Sequence, residues 1–166
     1  EDISQWVALL AVDDIEGAAA AVGPSGGRLL TTPTSLGRRG RVAVAADPEG
    51  AIFALLETVE GDPPDRSGPP APGGFLWDEL WAVDTAGAAS FYRRLLPYEA
   101  ETLALEGELD YRVLSAAGRP RAGIRPHPVA DSAPLWVNYL RVADLAALEA
   151  ILARVDDLGG RVLQPA

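Results

Sequence analysis

The sequence predicts an α+β fold built from repeated β-α-β-β-β modules, and three observations predict it. Short apolar runs suited to strands alternate with single helical stretches, and an Asp precedes each helix: Asp14, Asp84 and Asp144. An Asp at that position accepts a hydrogen bond from one of the free N–H groups of the first turn. Two separated blocks also recur in order. WVALLAVDD from Trp6 returns as WVNYLRVAD from Trp136, and GGRLLTTP from Gly26 returns as GGRVLQP from Gly159. An offset near 130 residues marks a period of two modules. Finally, 48% of the 166 residues are hydrophobic and 23% charged, enough apolar mass for a folded core.

Taken in order, Trp6–Val12 is an apolar strand, and Asp13-Asp14 starts the helix IEGAAAAV, which stops at Gly23-Pro24. RLLTT from Arg28 is a strand, residues 33–40 a loop, and Arg41–Ala45 a strand. Asp47-Pro48-Glu49-Gly50 is a turn in which Pro presets φ and Gly relieves the last position. Ile52–Glu57 closes the module. The second module opens with FLWDELWAV (Phe75–Val83), and Asp84 caps a helix whose apolar face is Ala88, Phe91, Tyr92 and Leu95, stopped by Pro97. Strands follow at Glu99–Leu105, Tyr111–Ser115 and Arg121–Arg125, the last two joined by AAGRP. A third module starts with WVNYLRV, continues with a helix burying Leu145, Leu148, Ile151, Leu152 and Val155, and enters a strand at RVL (Arg161–Leu163).

Between the first two modules, EGDPPDRSGPPAPGG (60–74) has a linker composition, without an apolar period. The expected organisation is residues 1–59 as the second module of a first domain, 60–74 as linker, and 75–166 as a second domain lacking its C-terminal strands. One full period and the start of another suggest a piece of a four-module protein, with strands donated by another chain as the alternative.

Composition removes several function classes. The formal charge is −10, which disfavours non-specific binding to nucleic acid or to an anionic membrane. There is no Cys, so disulfides, zinc–thiolate sites and thiol nucleophiles are excluded. All basic residues are Arg, which excludes lysine Schiff bases. A single histidine, His127, cannot supply a multi-histidine metal site. No apolar run is long enough to span a membrane. The expectation is a cytoplasmic protein without nucleic-acid or membrane partners.

The paired modules resemble the glyoxalase / bleomycin-resistance / extradiol-dioxygenase (vicinal oxygen chelate) superfamily, in its tandem two-domain bacterial form. The resemblance rests on the strand-to-helix junctions AVDDIEGAAAAV and AVDTAGAASFY, the GG before the second strand, and GRVAVAADPEGAIFALLE. It covers nearly everything outside the linker and implies a curved mixed sheet forming a cup. It also implies a divalent metal in some members, held by His and Glu. The His position, seven residues before the helix-starting Asp, is here Val7, Trp77 or Val137; the Glu position, seven residues after Asp47, is Ala54. All are apolar, so no family metal and no other cofactor is expected, unless ligands lie outside this chain.

If the family's inward face is kept, alternation puts Trp77, Glu79 and Trp81 in the cup, facing Val137, Tyr139 and Arg141. The first module contributes Val7, Leu9, Ala11, Ile52, Ala54 and Leu56, all apolar. Trp77, Trp81 and Tyr139 suit stacking on a flat ligand, or plain packing. Arg141 suits a ligand carboxylate and Glu79 a general base, or the two form a structural ion pair. His127, in RPHPVAD, is read as an exposed loop histidine rather than a base or ligand. Three functions remain: a protein binding a small organic molecule without the family metal; a metal-dependent lyase, isomerase or dioxygenase; or a structural module forming a homodimer.

Overall fold

The computed structural model describes residues 6–61, 65, 68–105 and 108–163. The linker expected at 60–74 therefore lies partly outside the described residues. In the first module, β1 (Ala8–Ala11) leads to α1 (Ile15–Val22), then β2 (Arg28–Leu29), β3 (Thr34–Ser35), β4 (Arg41–Ala46) and β5 (Ile52–Glu57). The Asp14 carboxylate accepts from Gly17 N–H at 3.1 Å and so starts the helix. Ile15, Ala19 and Val22, at i, i+4 and i+7, are its buried residues, and α1 packs on β4 and β5. The sheet order is β1-β5-β4-β2, with β3 also on β4; β1 and β5 are parallel and β4–β5 antiparallel. Two details differ from the sequence reading. The strand at Arg28 is only two residues long, and the loop at 33–40 contains β3 and a 3-10 turn at Gly37–Arg39.

The second module runs β6 (Phe75–Ala82), α2 (Thr85–Leu95), β7 (Glu99–Leu105), β8 (Glu108–Ala116) and β9 (Arg119–Pro126). Asp84 accepts from Gly87 N–H at 2.9 Å. The buried residues of α2 are Thr85, Ala88, Ala89, Phe91, Tyr92 and Leu95. The sheet order is β10-β6-β9-β8-β7, where β10 is Leu135–Leu140. Strands β6 and β9 are parallel and β7–β8–β9 antiparallel. The fold is thus α+β, with two mixed five-stranded sheets.

The turn closing the first module is fastened to the second. Asp47 Oδ1 accepts from Glu49 N–H and Ala51 N–H, at 3.0 and 2.9 Å. Its Oδ2 accepts from the Tyr92 hydroxyl at 3.2 Å, and Trp136 Nε1 donates to that hydroxyl at 3.0 Å. Glu49 reaches over to accept from the N–H groups of Val83 and Asp84, at 2.9 and 2.7 Å, where β6 turns into α2. Phe53, Phe91, Tyr92 and Trp136 meet edge to face around this bridge.

After β10 comes α3 (Leu145–Leu152), again started by an Asp: Asp144 accepts from Ala147 N–H at 2.8 Å. Here the sequence expectation fails. No residue of α3 is buried; Leu145 is 63% exposed and Ile151 50%. No strand forms at Arg161–Leu163. An amphipathic helix buries its stripe only where a sheet face meets it, and among the described residues none covers this one. The chain divides into two compact units, Glu1–Asp65 with Trp77–Asn138, and Arg66–Leu76 with Tyr139–Ala166.

Candidate functional site

On β6 the alternation of side chains separates two chemistries. Leu80 and Ala82 join the buried core together with the buried residues of α2. Trp77, Glu79 and Trp81 lie on the opposite face. The parallel register pairs Glu79 with Gly123 and Trp81 with Arg125 on β9, and Val113 on β8 lies opposite Gly123. Tyr111, two residues before Val113, shares that face.

Tyr111 belongs to β8, yet its hydroxyl donates to Glu79 Oε2 on β6 at 3.0 Å, reaching across the intervening strand. Gly123 makes that reach possible. A Cβ at Gly123 would sit 2.1 Å from Tyr111 Oη and 3.0 Å from Trp77 Nε1. The same hydroxyl accepts from Trp77 Nε1 at 3.1 Å, and Glu79 Oε1 accepts from Trp81 Nε1 at 2.9 Å. Arg125 Nη1 lies 4.0 Å from Glu79 Oε1. Glu79 is only 5% exposed, and burying a carboxylate is tolerated when its oxygens are bonded and a cation stands near. Trp77 and Trp81 remain half-buried, so part of each ring is open while its N–H is spent inside the network.

Sequence reasoning put Trp77, Glu79 and Trp81 on one face, and the structure brings these three together. Tyr139 and Arg141 lie in the other compact unit, where Arg141 Nη1 donates to the Pro70 carbonyl at 2.5 Å and its backbone N–H to the Gly74 carbonyl at 2.9 Å. Tyr111 and Arg125 were missed. Their signal was the glycine inside the strand RAGIR, since an interior strand glycine marks a close approach.

His127 is a correction. It is half-buried, not an exposed loop residue. Its backbone N–H donates to the Ala82 carbonyl at 2.9 Å, extending the β6–β9 pairing by one step. Its ring meets Trp81 edge to face, with centroids 5.3 Å apart and planes at 81°. Its Nδ1 accepts from Val129 N–H at 3.0 Å.

The first sheet presents a plainer surface. Ala8 and Leu10 are buried in the core beneath α1, while Leu9, on the other face, is 47% exposed. Ala54 and Leu56, in register with Leu9 and Ala11 along β5, continue that face.

A divalent metal does not fit the described residues around Glu79. Among the described residues no three His, Asp or Glu side chains converge. Glu79 has a donor on each oxygen and a guanidinium alongside, which would repel a cation. A metal here would need ligands from outside the described residues.

No family model matches the chain. It is 30% identical over 158 residues to the anthracycline biosynthesis protein DnrV of Streptomyces peucetius, covering 95% of this chain and 55% of that protein. It is 26% identical over 161 residues to CFP32 of Mycobacterium bovis, named a candidate glyoxylase, covering 95% of this chain and 59% of that protein. The chain thus spans little more than half the length of these relatives. Among solved structures, the Mn(II)-bound glyoxalase from Novosphingobium aromaticivorans matches with a TM-score of 0.58 and 16% identity, over 91% of this chain and 50% of that one. The 2,2',3-trihydroxybiphenyl 1,2-dioxygenase from Sphingomonas wittichii matches with a TM-score of 0.56 and 19% identity, over 95% and 60%. At these identities the structural likeness speaks for the fold alone.

Proposed function

We propose that the chain, which has the fold of the glyoxalase and dioxygenase structures and is similar to DnrV and CFP32, is a member of the glyoxalase-like (vicinal oxygen chelate) superfamily, and that its open sheet face binds a flat organic molecule by stacking, without the family metal. One observation carries this reading. The indole N–H groups of Trp77 and Trp81 and the Tyr111 hydroxyl are all committed to the network around Glu79, so the two half-exposed indoles are held in place and offer ring faces rather than donors. Preorganised aromatic surface binds planar ligands at little cost in conformational entropy. Glu79 orients the rings in this reading, one oxygen accepting from Trp81 and the other from the Tyr111 hydroxyl that holds Trp77. The name of DnrV, an anthracycline biosynthesis protein, agrees in kind: anthracyclines are planar fused-ring molecules.

Titration with anthracene-2-sulfonate, followed by tryptophan emission and calorimetry, tests the proposal. The expected result is micromolar or tighter binding, weakened about three- to tenfold by Trp77→Ala or Trp81→Ala, the loss of roughly 0.5–1.5 kcal/mol of stacking. Arg141→Ala and Tyr139→Ala test whether those residues also touch the ligand. Absence of binding by the wild-type chain, or affinity indifferent to both tryptophans, sinks the reading.

A further inference from the structure

Charged side chains on or beside the proposed binding face pair with one another. Glu79 has Arg125 beside it, and Arg121, two residues before Gly123, is held by Asp65, with Nη1–Oδ1 at 2.5 Å and Nη2–Oδ2 at 3.1 Å. The face also offers a directed donor. The alternation that sets Gly123 and Arg125 on this face carries His127 to the same side, just beyond the end of β9, against Trp81. Because Nδ1 accepts from Val129 N–H, the neutral imidazole carries its proton on Nε2. That nitrogen is shielded from solvent and has no hydrogen-bond partner among the described residues. A buried donor without an acceptor is costly, and folded chains keep such groups where something else completes the bond.

We propose that His127 Nε2–H is the polar handle of the stacking face, and that the ligand is an aromatic ketone or quinone whose carbonyl oxygen accepts from it. This rests on the stacking reading and narrows its ligand class. A ring stacked on Trp81 lies beside the imidazole that packs against the same indole, and its oxygen reaches Nε2, which solvent does not touch in the free chain, by displacing the side chain that covers it.

Two water-soluble probes separate the inference from the reading beneath it: anthraquinone-2-sulfonate and anthracene-2-sulfonate, alike except for the two carbonyls. The wild-type chain is expected to bind the quinone about tenfold more tightly, the yield of one hydrogen bond. His127→Phe keeps a ring against Trp81 and removes the donor. It is expected to abolish the preference while leaving affinity for the anthracene unchanged. Equal affinity of the wild type for both probes, or a preference that survives in H127F, overturns the inference and leaves stacking intact. Failure of the wild type to bind either probe overturns both. Should H127F not fold, the wild type decides alone. Its single histidine makes the imidazole nitrogen signals unambiguous, and Nε2–H must shift with the quinone and stay unmoved with the anthracene. A signal unmoved by the quinone refutes the handle.

Discussion

Gly123 does more than end a side chain early. It lets Tyr111 cross β9, and the crossing ties Trp77, Tyr111 and Glu79 into one network. Gly123→Ala places a methyl where the Tyr111 oxygen lies, and the overpacking is expected to cost about 1–3 kcal/mol in chemical denaturation. Tyr111→Phe removes the same bonds from the other side. The double variant is therefore expected to lose distinctly less than the sum of the two single losses, a coupling that a double-mutant cycle measures. The sequence shows Trp77, Glu79 and Trp81 together because period-2 alternation is local. It does not show Tyr111 or Arg125, because strand order and register are long-range pairings that no window along the chain contains. His127 was misread for the same reason: two flanking prolines suggest an exposed loop, whereas its backbone joins β6 and its ring packs on a tryptophan 46 positions earlier.

At the scale of elements, three helices carry one start signal with different consequences. Asp14, Asp84 and Asp144 each accept from the N–H three residues on. The helix α2 buries six residues and α3 none. Asp84→Ala is expected to lower global stability by about 1 kcal/mol. Asp144→Ala is expected to leave the main melting transition in place and to speed amide exchange only within 145–152, because helix stability in proteins comes mostly from packing. A matching drop in melting temperature for both variants would count against this division. Helix starts were legible because capping is chemistry within four residues, whereas α3 stops at Leu152, short of the Val155 that the apolar stripe had included. The burial of α3 was not, since an apolar stripe records what a helix can bury and not whether a sheet face lies against it.

For the whole molecule, the Asp47–Tyr92–Trp136 bridge makes stability depend on pH. Burial raises the Asp47 carboxyl above its ordinary value of 3.8, outweighing the hydrogen bonds from Ala51, Glu49 and Tyr92 that pull it down. Burial likewise pushes the Tyr92 phenol well above its usual range, with the neighbouring Asp47 adding to the shift. A carboxyl with a raised folded-state pKa binds its proton more readily folded than unfolded. Its contribution is therefore full below the unfolded value and is lost as pH rises through the folded one. The melting-temperature difference between wild type and Asp47→Asn is expected to shift against the wild type as pH climbs from strongly acidic towards neutral; a difference independent of pH would refute it. The same bridge bears on how such chains can be recombined. The proline-rich stretch invites a cut, since composition changes there and little apolar mass is at stake. Yet a crossover at 60–74 sends Asp47 and Glu49 to one descendant and Val83, Asp84, Tyr92 and Trp136 to the other. Each chimera would then inherit donors or acceptors whose counterparts evolved elsewhere. Viable shuffling of these modules must carry the acidic turn and the helix it fastens as one hereditary unit, so the visible seam in the sequence is not the seam in the protein.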